Sequence, residues 1–537
     1  MSMSSEEFHI KQIDTSLHNA DLAPLPPAQR KWGWFEIFNV WSNDIQSLFG
    51  YTLAATLFIS YGLNGWAVLA GIVLAGFIVM GLVQLTGKPS VKYGIPFPVM
   101  ARASMGVRGA NFPALVRGIV AIFWYGVQTY FASTAVALLI NSLMGNASGT
   151  GATFLGMTAV GWLSYVIVCA FQVALFIRGI DWITKFLNWA GPLVYLVMIA
   201  LMLMIWYKAG PSLLSELGSI FRGTGEYAAG PVAAFIAVVG TMVAYFAAVV
   251  INYGDFARFV KSERQMTAGN FLGLPVSLAF FSVIALVITA GTVVVFGETL
   301  TNPTDIVARV DNLTLTVIAA LTFFAATVGI NLVANFIPPA YDIANLAPAH
   351  ISARTGGFIT AAIAFFIGAL WVSFISNVGI AAFVDTLGAV LAPLYGIIVA
   401  DYYLVRRQQL DLQQLFSAEP GTRYHYDGGW NRKAMIAFGV ASLFSVASVW
   451  SPALSSLSGY SWLFGAARRG LPLPADAQAL RGQGPHRARA LAQLTAAATS
   501  PPPRPSQRRG RAPSPGIRHR RRGAARTVIA CPGQSSG

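Results

Sequence analysis

Eleven stretches of this chain are apolar over a length near or above the roughly 20 residues with which a helix crosses a hydrocarbon core. They lie at 34–60, 65–86, 113–142, 153–177, 184–207, 230–253, 270–297, 313–345, 357–373, 378–404 and 434–450. A chain that enters lipid must satisfy its backbone N–H and C=O groups internally, so runs of this length predict an all-α polytopic membrane protein. Composition agrees, with 55% hydrophobic and only 11% charged residues, where soluble domains carry about a quarter charged.

Charge then orients the chain. Loops after the even-numbered runs hold Lys88, Arg102, Arg108, Arg117, Arg178, Arg258, Lys261, Arg354 and Arg406, whereas the loops after the first and third runs hold neither Lys nor Arg. The positive-inside rule therefore predicts a cytoplasmic N-terminus. The first thirty residues lack the basic, apolar and small-residue regions of a secretory signal. The net charge of +15 does not predict a nucleic-acid partner, because from Leu463 onward there are fourteen Arg, no Lys and one acid, Asp476. That Arg/Pro-rich tail falls on the wrong side of the membrane if only eleven helices precede it. The expectation is a twelfth helix that starts at 460–467 and is lost to a shifted reading frame; a disordered basic tail is the alternative. Cys169 and Cys531 form neither a disulfide framework nor a metal cluster. No cofactor is expected.

Intramembrane polar groups are costly and mark pathways or sites. The first run carries Asn43, Asp44 and Gln46; the third Trp124 and Gln128; the sixth Thr241 with Tyr245 and Phe246; the eighth Thr327, Asn331 and Asn335. If the first ten helices are two five-helix units, one and six correspond, as do three and eight, the pairs between which inverted repeats place a substrate. Trp124 and Gln128, four apart, share a helix face. An indole face beside a carboxamide suits a planar heterocycle, which stacks and offers an in-plane lactam edge to the amide. Asn331 and Asn335 are also four apart and supply a second such edge, unless these amides only bond helix to helix.

Five segments carry a resemblance: PSVKYGIPFPVMARASMGVRGANFPALVRG, FWYGVQTY, NLVANFIPPAYDIANLAP, ADYYLVRRQQLDLQQLF and TRYHYDGGWN. Together they resemble the nucleobase:cation symporter-1 family of hydantoin, allantoin, uracil and cytosine permeases, over about residues 30–465. The resemblance implies a leucine-transporter-type fold of two inverted five-helix repeats, normally twelve helices, working by alternating access in the inner membrane. It implies a tail at 1–31, a ten-helix core at 32–405, and a loop, helix eleven and the start of helix twelve at 406–465, with the tail at 466–537 beyond. It places the stacking Trp on Trp124, the substrate Gln on Gln128, a second aromatic on Phe246, the substrate Asn on Asn335 and the Gln of a broken first helix on Gln46. In sodium-coupled members the cation lies between first-helix carbonyls, matching Ser42 and Ile45, and eighth-helix groups, matching Ala326 and two hydroxyl residues. Those two hydroxyl positions are Gly329 and Ile330 here. A hard cation wants oxygen ligands, so H+ is expected over Na+, with Asp44 as carrier. The alternative makes Asp44 a structural anchor for backbone N–H groups freed at the break. The expected partners are a small heterocyclic substrate and the lipid bilayer. A channel would need a continuous polar lining, and an enzyme a set of reactive side chains in one layer; neither pattern is present.

Overall fold

The computed structural model describes residues 8–11, 14–145, 152–226, 230–310, 312–451 and 454. The chain divides into Met1–Leu471 and Pro472–Gly537. The expected twelfth-helix start and basic tail lie outside the described residues.

All eleven apolar runs are helical. The first is two helices, α1 (Trp34–Ile45) and α2 (Leu48–Ser60), followed by α3 (Gly65–Tyr93), the short α4 (Phe97–Met105), α5 (Asn111–Leu143), α6 (Ala159–Arg178), α7 (Ile180–Ala209) and α8 (Ser212–Arg222). The sixth run is again divided, into α9 (Pro231–Tyr245) and α10 (Ala247–Asn252). Then come α11 (Glu263–Phe296), α12 (Pro303–Arg309), α13 (Leu313–Leu346), α14 (Ala353–Ala369), α15 (Ile380–Val405) and α16 (Arg432–Trp450). Helices α5 and α13 form the interior, with 72% and 78% of their most apolar windows buried, against 22% for the peripheral α6 and α16. They pack on each other, while α1 packs on α7 and α11.

The first break has a local cause. Ser47 adopts extended backbone (φ −60°, ψ 155°) and caps α2, its side chain accepting from the Gly50 N–H at 3.0 Å. A Cβ at Gly50 would stand 2.7 Å from the carbonyl oxygens of Asp44 and Ile45. Only glycine lets the end of α1 approach the start of α2 so closely. In α13 the ladder loosens over Asn331–Phe336 into π-type turns. Pro338 just beyond has no N–H for the carbonyl of Ala334. The Arg117 guanidinium takes that carbonyl instead, Nη2 donating at 3.0 Å.

This corrects the reading of Arg102 and Arg117 as loop charges. Both are fully buried. Arg117 pairs with Asp342 at 3.4 Å, and Arg102 donates to Asn345 Oδ1 at 2.7 Å and to the Leu415 carbonyl at 3.2 Å. Nearby, Asp255 Oδ1 accepts from the Phe97 N–H at 2.7 Å.

The segment before α1, expected as a tail, lies along this same end of the bundle. Leu17 and Leu22 are buried. Asp21 accepts from the Ala353 N–H at 2.9 Å and its carbonyl from Arg258 at 3.0 Å, while the Leu25 N–H donates to the Gly94 carbonyl at 2.9 Å. Arg30 donates to the Val91 carbonyl.

Candidate substrate-binding site

Of the sequence-predicted residues, Asp44, Gln128 and Trp124 meet around Tyr245 where the sixth span breaks, and Gln46 stands at the break of the first. Gln46 closes α1, with its N–H donating to the Ser42 carbonyl at 3.2 Å and its Nε2 to the same oxygen at 3.0 Å. Its Oε1 is buried with no hydrogen-bond partner among the described residues. The freed N–H of Leu48 donates across the bundle to Thr327 Oγ1 of α13 at 3.1 Å.

Asp44 is nearly inaccessible at 5% exposure. Its carboxylate accepts from the Tyr245 hydroxyl at 2.7 Å, and the same hydroxyl lies 3.1 Å from the Asp44 carbonyl. The anchor expected for Asp44 was backbone N–H groups at the break; the observed partner is a phenol from the last residue of α9. Tyr245 thereby joins the two discontinuous spans. Its hydroxyl also meets the Gln128 side chain, and Gln128 Oε1 is a second buried oxygen with no partner among the described residues.

Trp124, one turn below Gln128 on α5, is 4% exposed. Phe49, Phe383 and Tyr245 surround it at 5.0, 5.3 and 5.6 Å, all near perpendicular, at 85°, 71° and 79°. Among the described residues no ring stacks parallel on it. Phe246, the aromatic expected on the sixth helix, is fully buried but packs edge-on against Trp41 at 5.9 Å and Tyr245 at 4.8 Å. The sixth-helix ring that meets Trp124 is Tyr245. The pair Tyr245-Phe246 stood out in the sequence, but spacing alone does not tell which ring turns inward at a break.

The two α13 carboxamides separate in role. Asn331 Nδ2 lies within 3.1 Å of the Tyr125 carbonyl and Thr129 Oγ1 and 2.8 Å of Gln172 Oε1, and its oxygen accepts from Asn335 at 3.0 Å. Asn331 departs from the expected substrate edge: its amide is spent between α5, α6 and α13. Asn335 stands one turn nearer Arg117's carbonyl partner and is 5% exposed.

Around the cation position, Ser42, Ile45 and Ala326 are buried. The Ser42 carbonyl already accepts twice from Gln46. Gly329 and Ile330 bring no side-chain oxygen, and a Cβ at 329 would lie 3.1 Å from Leu187 Cδ2 and 3.2 Å from Asn43 Oδ1.

Residues 24–465 match the family described as permease for cytosine/purines, uracil, thiamine and allantoin. The allantoin permease of Bacillus subtilis (strain 168) is 36% identical over 459 residues, covering 85% of this chain and 92% of that protein. The purine-uracil permease of Arabidopsis thaliana is 30% identical over 83% of this chain and 74% of its own length. Among solved structures, a nucleobase-cation-symport-1 family transporter in a closed conformation with bromovinylhydantoin bound superposes with a TM-score of 0.68 at 24% identity, covering 84% of this chain and 95% of that one. At that identity the likeness speaks for the fold, which is the leucine-transporter-type inverted repeat.

Proposed function

The chain belongs to the nucleobase-cation-symport-1 family of multi-pass membrane permeases and is a transporter rather than an enzyme; from that premise we propose that it imports a planar ureido heterocycle of the allantoin, uracil or hydantoin kind, driven by protons. We read the N-terminus as cytoplasmic from the remaining basic loop residues, and the membrane as the inner one from the family resemblance.

The observation that carries the substrate class is the pair of buried, unpartnered carboxamide oxygens, Gln46 Oε1 and Gln128 Oε1, at the break beside the Trp124 indole. An orphan acceptor in a low-dielectric site is costly until a donor arrives. Lactam and ureido N–H groups are such donors, in the plane of a ring that stacks on an indole. Asn335 is the further carboxamide assigned to the substrate, and Phe246 supports the site from behind through Tyr245.

Proton coupling is supported by what surrounds the cation position. The Ser42 carbonyl is engaged, two positions lack hydroxyls, and Asp44 is a buried carboxylate whose side-chain partner is a neutral phenol. Desolvated carboxylates of this kind exchange protons as access changes.

The test is a panel of labelled allantoin, uracil and hydantoin in proteoliposomes, with imposed pH or sodium gradients. Uphill uptake should follow the pH gradient and be lost in Asp44→Asn. Uptake driven by sodium at fixed pH, or undiminished uphill uptake in Asp44→Asn, rejects the proton assignment. Failure of every ring to compete for uptake rejects the substrate class.

A further inference from the structure

A second intramembrane acid stands apart from the substrate cluster. Asp385, in the second turn of α15, is 8% exposed. Its side-chain contact is the Thr241 hydroxyl, Oγ1 to Oδ2, at 3.5 Å, beyond the usual 2.5–3.0 Å of such bonds. No ion pair reaches it among the described residues. Of the groups beside this stretch, Tyr61, the residue just after α2, shares a hydrogen bond with Thr241 and feels the Asp385 charge. From α5 comes Trp124 against Phe383, and from α16 comes Trp450, whose Nε1 donates to Thr386 Oγ1 at 3.0 Å. Helix α10 has no charged residue, and Arg102 of α4 is turned to Asn345 and Leu415. Among the described residues Tyr61 is the titratable group beside Asp385, with Tyr245 of α9 one turn beyond Thr241.

The position of Thr241 gives this acid a connection. Thr241 and Tyr245 are four apart on α9 and share a face. One end of that face touches Asp385 and the other donates to Asp44 at 2.7 Å. Two buried carboxylates on different spans, α1 and α15, therefore each face a hydroxyl on one side of a third. Asp385 lies near the start of α15, beside Tyr61 at the end of α2 and one turn before the α9 break.

We propose that Asp385 is a second proton-binding site, which takes up protons from the outer aqueous side and passes them to Asp44 along the Thr241–Tyr245 face. This inference rests on the proton-coupled reading above. When the outer end is wet, Asp385 accepts a proton from hydronium, releasing water. The Thr241 hydroxyl accepts that proton while donating its own to a water molecule lodged between it and the Tyr245 hydroxyl, one helical turn on. That water donates one of its protons to the Tyr245 hydroxyl oxygen as Tyr245 gives its own to Asp44 Oδ1. Each relay group ends as it began, Asp385 is again ionised, and one proton has moved. An isolated carboxylate without a cation gains little from staying charged in the dry state, so its proton occupancy changes with access to water.

The experiment measures uptake of labelled allantoin into proteoliposomes at fixed inner pH, with uracil in its place if the panel ranks it higher. The outer pH is stepped from one unit below to one unit above neutrality. One titrating proton gives at most about a tenfold rate change per unit. In Asp385→Asn the outer-pH dependence should flatten towards a ratio of one, whatever the absolute rate, and Asp385→Glu should restore a slope. Thr241→Val should flatten it with Asp385 intact, and Thr241→Ser should not. An Asp385→Asn protein of normal yield that keeps the full slope overturns the inference. A variant that is slower but equally pH-dependent assigns Asp385 to packing and also overturns it. Asp44→Asn separates the two readings. If it abolishes uphill uptake while Asp385→Asn keeps its slope, coupling stands and the outer site falls. If the unmodified protein ignores outer pH altogether, both fall.

Discussion

Asp342 and Asp385 are both acids buried within helices, and their surroundings are opposite. Asp342 lies 3.4 Å from the Arg117 guanidinium, which also holds the Ala334 carbonyl freed by Pro338. Asp385 has a threonine hydroxyl at 3.5 Å. A compensated charge fixes geometry, because separating it from its partner leaves both stranded in low dielectric. An uncompensated one is free to change protonation as the structure opens. One end of this bundle is therefore built to hold, with Arg102, Arg117, Arg258 and Asp255 all engaged. The break of the first helix and the opposite end carry the groups able to change.

The strongest way to break this comparison is to remove Arg117. Arg117→Ala strands Asp342 and unbonds Ala334, and should cost about 3–5 kcal/mol, read as a large fall in Tm and yield of the purified protein. Replacing the pair together, as Arg117→Met with Asp342→Leu, should recover most of that loss. Equal Tm for the single variant and the parent would show the ion pair to be unimportant.

A smaller effect is expected at the substrate cluster. Gln128→Ala should weaken binding by roughly 1–3 kcal/mol, or about five-fold to over a hundred-fold, with Tm little changed. Gln128→Glu should re-rank ligands that differ at the lactam edge. Trp124→Ala removes a platform worth ~0.5–1.5 kcal/mol beyond area burial, while Trp124→Phe should keep much of it and discriminate rings by size. Equal losses for every ligand, together with reduced Tm, would make both residues packing.

The smallest effect concerns sodium. Gly329→Ser with Ile330→Thr returns two hydroxyls to α13, and a modest sodium stimulation of binding should follow. The new Cβ at 329 must displace Leu187 Cδ2, now 3.1 Å away, which caps the gain. Binding indifferent to sodium in this variant would show that the carbonyls of Ser42 and Ile45 are not available to a cation.

Much of this was legible in the chain. The eleven apolar runs are all helical, eight of them containing helices long and apolar enough to cross a membrane, and the break of the first helix at Gln46, which the family resemblance implied, is present. The fate of Arg102 and Arg117 was hidden, since basic residues flanking apolar runs look like loop charges until Asn345 and Asp342 come into reach from more than 200 residues away. Asp385 is readable by the rule that singled out Asp44, an acid inside an apolar run, but its contact with Thr241, 144 residues away, is not. Asn331 and Asn335 share a spacing and differ in role, because only the packing of Gln172 and Thr129 decides which amide is already bonded. The segment 8–30 has no periodic pattern, and its anchors at Val91, Gly94 and Ala353 are distant in sequence.

That segment has a mechanical consequence. Between Asp21, tied to Ala353, and Leu25, tied to Gly94, only four residue steps are available. A peptide of that length reaches at most about 14 Å when fully drawn out. It is a leash between the loop that ends at the first residue of α14 and the loop after α3. Any rocking that carries those two loops further apart must first unhook one end, so the N-terminal residues set a stop on the stroke of the machine at this face.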